Sequence, residues 1–253
     1  MQRYDDLTEL LLQLGDSAMV QAQRLCELVG GAPALEEEVA LMNVGLDLVG
    51  QARNWLEYAA ERINDGRTAD DLVFHRDQSD YRNLLMVEQP NGDFGVTMAK
   101  QFLFDSWHYA MLQSLSDSSD ERIAAVAAKS LKEVTYHLRR SSEWIKRLGD
   151  GTDESHTRMQ AAIDKVWHYT FEFAMPAEYL AQLEADRVVP DASSLHQRWI
   201  GTVTSVLSEA TLVQPEPAAR NYLSGKDGLH SESLGYILAE MQFLPRAYPD
   251  ANW

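Results

Sequence analysis

The chain has 253 residues, 45% hydrophobic and 24% charged, with a formal net charge of -17 at pH 7. That composition suits a globular protein with a large core and excludes wholesale disorder. The negative surface repels phosphate backbones and anionic lipids, so neither nucleic acid nor a membrane is an expected partner. The single cysteine, Cys26, rules out an intramolecular disulfide, and a buried thiol in an apolar helical stretch is the expectation for it. The opening MQRYDDLTEL lacks the basic start and apolar core of a secretory signal, and no apolar run reaches membrane-spanning length. Together these features predict a soluble protein of the reducing cytoplasm.

Helical periodicity runs through the sequence. Apolar residues recurring at three and four predict a first helix over about 7–29, ended by Gly30 and Gly31. Pro33 and the run Glu36, Glu37 and Glu38 open a second over about 35–64, because proline fits a first turn and carboxylates favour its positive end. The long connection from Asn64 to Asp93 holds a candidate short helix near 77–87 and ends in a Pro-Asn-Gly turn signal. Connections of that length are as a rule functional or packed over the surface. A third helix is expected over about 94–115 and a fourth over about 119–148, stopped by Gly149 and Gly151. Others follow over about 153–174, 192–212 and 231–246, punctuated by Pro176, Pro190, Pro215 and Pro217. Strand alternation is almost absent and no internal repeat is visible, so the expectation is one all-α domain over 1–253, a helical bundle with additional C-terminal helices.

Polar residues interrupt the apolar faces of these helices. In the second, Val39, Met42, Leu46, Val49, Leu56 and Ile63 form one apolar stripe, while Leu41, Val44, Leu48, Trp55 and Ala59 extend apolar character around the rest. Burial on more than one side is expected, with the row Asn43, Asp47, Gly50, Gln51 and Asn54 facing protein. The third helix places Gln101, Asp105 and His108 on one face. Asp105-x-x-His108 has metal spacing, but alone it reads first as a buried Asp orienting a His. Across four helices the inward set is Asp16, Asp47, Asp105 with His108, and Glu133 with His137, the plan of ferritin-like di-metal proteins.

A working site of that kind uses Glu on two helices and Glu-x-x-His on the other two. Asp at three of the four places shortens the reach, and Gly50 stands where the second helix needs a histidine. Glu133 is in phase with Tyr136, whereas His137 is turned a further ~100°. If His137 is placed in phase, Val134 takes the carboxylate position. Either alignment loses a ligand, so a vestigial, metal-free cluster is expected, a hydrogen-bonded network tied to Lys100 or Lys132. No residue is assigned to catalysis or to cofactor binding. The rival reading is an autonomous di-metal oxidase with an irregular ligand set. His75, His156, His168, His196 and His230 stand in separate segments and are expected at the surface or at helix ends. Lys129, Lys132, Arg139, Arg140, Lys146 and Arg147 make the fourth helix basic. A solvated face is the simplest account, and docking of an acidic partner or of a CoA ester's phosphates the alternative.

The stretches GLDLVGQARNWL, YRNLLMVEQPNGDFG, KEVTYHLRRSSEWIKRLGDGT and GLHSESLGYILAEMQFL resemble the C-subunit family of bacterial phenylacetyl-CoA epoxidases (PaaC), in order from about residue 7 to the C-terminus. The resemblance implies a ferritin-like fold and a place in a multicomponent monooxygenase of aerobic phenylacetate degradation. It implies a related A subunit that holds the di-iron centre and the substrate, and a reductase with FAD and an iron–sulfur cluster that draws electrons from NADPH. The C subunit is then a structural partner of the A subunit, with a degenerate metal site. A large apolar interface is implied, open to homodimers when the chain is alone.

Overall fold

Helix starts fall where short polar side chains can take up free amides. The Asp5 carboxylate accepts from the Thr8 amide at 3.0 Å ahead of α1 (Asp6–Cys26), and α2 (Leu35–Ile63) ends on Asn64 in the left-handed region at φ 52°. A reciprocal Thr68–Asp71 capping box opens α3 (Ala69–Phe74), and α4 (Leu85–Glu88) follows one 3-10 turn later. Asp93 caps α5 (Phe94–Leu115), Asp120 caps α6 (Glu121–Gly149) and Thr152 caps α7 (Asp153–Trp167). Then come α8 (Phe171–Ala174), α9 (Leu180–Ala185), α10 (Ala192–Glu209), α11 (Glu232–Met241) and α12 (Phe243–Ala247). These elements belong to a computed structural model that describes residues 4–175, 177, 179–220, 222–249 and 251. Among the described residues no strand is formed beyond one isolated bridge, Ser224 to Leu229.

Contacts divide the chain into two compact units, Met1–Pro90 with Tyr222–Trp253, and Asn91–Asn221. In the first, α1 and α2 pack closely. A Cβ on Gly15 would lie 2.6 Å from Leu56 Cγ, so this crossing needs glycine. The connection after α2 differs from expectation. Tyr81 through Gln89 is buried without a break, as core rather than surface cover, and the candidate helix near 77–87 is instead extended at Tyr81 and Leu84 between short helices. Gln242, between α11 and α12, donates to the carbonyls of Val73 at 2.8 Å and Arg76 at 3.0 Å, which ties the C-terminal helices to that connection.

In the second unit α5 is the central helix, buried without interruption from Val96 to His108. The expected helix over 153–174 breaks at Trp167 into a 3-10 turn and α8, and that over 231–246 breaks at Gln242. The first helix stops at Cys26, whose side chain is exposed rather than buried because it occupies the helix end.

Candidate functional site

The buried face of α6 settles the register that spacing left open. Ile123, Ala127, Ser130, Val134, His137, Ser141 and Ile145 are buried at intervals of three and four. His137 and Val134 therefore point inward, while Glu133 is half-buried and Tyr136 is 41% exposed. The place a bridging carboxylate would take on this helix is an isopropyl group.

Across from it, Gln101, Asp105 and His108 of α5 are all buried. Ser141 Oγ donates to Asp105 Oδ2 at 2.8 Å, and Arg140 Nη1 donates to Gln101 Oε1 at 3.5 Å. Burial pushes the Asp105 carboxyl up to about 7, against the Ser141 hydrogen bond and the Arg140 charge. Burial also pulls His108 down to about 3, helped by the charge of nearby His137. His108 is thus a neutral imidazole at pH 7, and its Nδ1 has no hydrogen-bond partner among the described residues. Lys132 is exposed, away from this network, and the buried Lys100 donates to Asn91 Oδ1 at 3.3 Å. Arg140, counted with the basic face of α6, is buried, so only Arg139 of that pair is offered to solvent.

In the first unit, Asp16 is fully buried and already neutralised. Arg76 grips both of its oxygens, with Nη1 to Oδ2 at 3.1 Å, and the Arg82 amide donates to Oδ2 at 2.8 Å. Arg82 itself pairs with the buried Glu9 at 2.6 Å. Glu88 accepts from Asn83 at 2.9 Å and from the Ser231 amide at 2.7 Å, and lies 2.8 Å from His230 Nδ1. His230 is therefore an internal tether rather than a surface histidine, its other nitrogen 3.0 Å from the Tyr81 carbonyl. Sequence reasoning missed this network. Its signal was Arg76 and Arg82 leading into an apolar run, since arginines carried into a core need acidic partners.

Helix α2 turns the other way from expectation. Its buried residues are Leu41, Val44, Gly45, Leu48, Gln51, Ala52, Trp55, Leu56, Ala59 and Ala60. Asn43 and Gly50 are exposed and Asp47 is half-buried, so most of the polar row lies outside. Of the stripe read as core, Leu56 is buried, but Leu46 is 62% exposed and Val39, Met42 and Val49 between 38% and 45%, and Leu35, one turn earlier, is 71% exposed.

These residues do not fit a di-iron centre. Val134 and Gly50 supply no ligand, Asp16 is occupied by a guanidinium, and Asp47 is only half-buried. Among the described residues no group of three or more His, Cys, Asp or Glu side chains is placed to hold a metal ion. Nor is any helix among them long and apolar enough to cross a membrane.

An all-α chain of long helices, without a strand among the described residues, fits the ferritin-like class. More narrowly, the chain belongs to the family described as Phenylacetic acid catabolic protein, the match covering residues 1–253. It is 46% identical over 249 residues to the C subunit of the 1,2-phenylacetyl-CoA epoxidase of Escherichia coli (strain K12), covering 98% of this chain and 100% of the relative.

Proposed function

We propose that this chain is the structural, noncatalytic subunit of a 1,2-phenylacetyl-CoA epoxidase, a cytoplasmic multicomponent monooxygenase of phenylacetate catabolism. Residues 1–253 act as one ferritin-like domain that pairs with the catalytic A subunit and holds it rigid. The di-iron centre and the acyl-CoA substrate belong to that A subunit. NADPH, FAD and the iron–sulfur cluster belong to the reductase, and this chain carries no cofactor.

The observation that carries the reading is the outward face of α2. Leu35, Val39, Met42, Leu46 and Val49 form a continuous apolar stripe on a helix of 29 residues. Soluble monomers rarely expose such contiguous apolar surface, and permanent partners bury large helix-on-helix interfaces of this kind. The A subunit is the occupant, and self-association of the isolated chain through the same face is the alternative outcome.

Co-expression with the A subunit tests this. The wild-type chain should elute with it as one complex. Leu46→Asp, a change at an exposed position, should weaken the pair by about tenfold or more while leaving helicity and thermal midpoint intact. A complex indifferent to Leu46→Asp would remove α2 as the pairing face, and failure to co-elute would remove the proposal.

A further inference from the structure

A cleft of about 420 Å³ opens in the second unit beside α8, α10 and the segment that follows α10. Its walls include Trp167, Phe171, Trp199 and Ile200, with Thr170, His196, Gln214 and Arg220 as its polar groups. The Trp167 and Trp199 rings lie 6.0 Å apart at 32°, and the His196 ring lies 5.5 Å from that of Trp199.

The indole N–H groups are committed elsewhere. Trp167 Nε1 donates to the Glu216 carbonyl at 2.7 Å and Trp199 Nε1 to the Leu103 carbonyl at 3.3 Å. These bonds fix the indoles in the floor of the cleft, where Trp167 is 5% and Trp199 2% exposed, so that only their margins line it. Thr170 is likewise committed, its hydroxyl donating to the Trp167 carbonyl at 2.7 Å, whereas His196 and Arg220 are not. The His196 ring lines the cleft, forms no hydrogen bond to any described residue, and has a buried Nδ1. Arg220 is exposed and forms no ion pair among the described residues, in a chain with 39 carboxylates and 22 lysines and arginines. Gln214, also in the lining, accepts from the Thr204 hydroxyl at 2.6 Å through Oε1, which leaves its amide hydrogens as donors.

Size and charge then select the ligand. A cavity of roughly 150 Å³ holds benzene, so about 420 Å³ takes one ring with a short polar chain. Aromatic walls also attract cations, but the Arg220 guanidinium repels them. His196, Arg220 and the Gln214 amide can each donate a hydrogen bond, and a guanidinium matches a carboxylate in geometry. We propose that this cleft is a binding site for a small aromatic carboxylate, its flat ring seated among Phe171, Met175 and Ile200 above the margins of the two indoles and its anionic end at Arg220 and His196. The site shares no residue with the inward cluster of α5 and α6.

Calorimetric titration of the full chain with phenylacetate tests it. The expected result is saturable binding at one site, with phenylacetamide and cyclohexylacetate each weaker by about fivefold. Arg220→Gln, at an exposed position, should weaken phenylacetate by about fivefold, the reach of a solvent-screened ion pair. Ile200→Trp, which fills the cleft, should abolish binding, with both variants keeping the wild-type circular dichroism. Absence of saturable heat would overturn the proposal. So would equal affinity for phenylacetate and its amide, or binding that survives both substitutions.

Discussion

Replacing Asp105 by Asn should stabilise the protein in alkali and leave it nearly unchanged in acid. Asp105 lies against α6 at 1% exposure, accepting from Ser141 at 2.8 Å. Burial raises its carboxyl from 3.8 to about 7, so the folded protein holds this proton more tightly than the unfolded chain does. A group raised in this way favours folding fully below pH 3.8 and loses that contribution as pH climbs through about 7. With each tenfold change in proton affinity equivalent to about 1.36 kcal/mol, the ionised carboxylate weakens the fold by up to about 4 kcal/mol above neutrality. Asn keeps an oxygen for Ser141 and has no charge to desolvate, but it gives up the attraction to Arg140. The net gain at about pH 8.5 should therefore be about 2–4 kcal/mol, falling toward zero near about pH 4. Urea unfolding of both proteins across that range measures it. A difference that does not change with pH, or a variant less stable than wild type in alkali, would refute the claim that Asp105 is a desolvated carboxyl.

His108→Gln should act at the opposite end of the scale. Burial and His137 pull His108 down from 6.5 to about 3, so its contribution is complete above pH 6.5 and is lost as pH falls toward 3. The variant should unfold at lower pH than wild type when ellipticity is followed through acid titration. Arg76→Met should destabilise by about 3–5 kcal/mol, because it leaves Asp16 charged, buried and without its guanidinium. The double substitution Asp16→Leu with Arg76→Met should recover most of that loss in the same urea assay, since an apolar pair can replace a buried ion pair.

Long amphipathic helices were legible in the sequence because capping residues and glycine stops bracket them. Asp93, Asp120 and Thr152 each cap the helix that follows them. The register of α6 was legible only as a choice. Val134 with His137 and Glu133 with Tyr136 are equally helical in sequence, and packing against α5 decides between them. The apolar stripe of α2 could not be assigned at all from periodicity. A row such as Val39, Met42, Leu46 and Val49 looks the same whether it faces the chain's own core or another protein. His230 lies 142 residues from Glu88 along the chain, so their tether has no local signature. The Arg76 and Arg82 pairings were hidden for the same reason, because charge balance in a core depends on contacts that spacing does not encode. Family resemblance reached the ferritin-like class by another route, through four stretches in order along nearly the whole chain.

Iron content per chain tests the central claim most directly. The purified protein would be loaded anaerobically with ferrous iron, freed of loosely held ions and analysed for metal. Val134, Gly50 and the Asp16–Arg76 pair predict iron near zero. About two irons per chain, the stoichiometry of a carboxylate-bridged centre, would contradict the account and make this chain a catalyst in its own right.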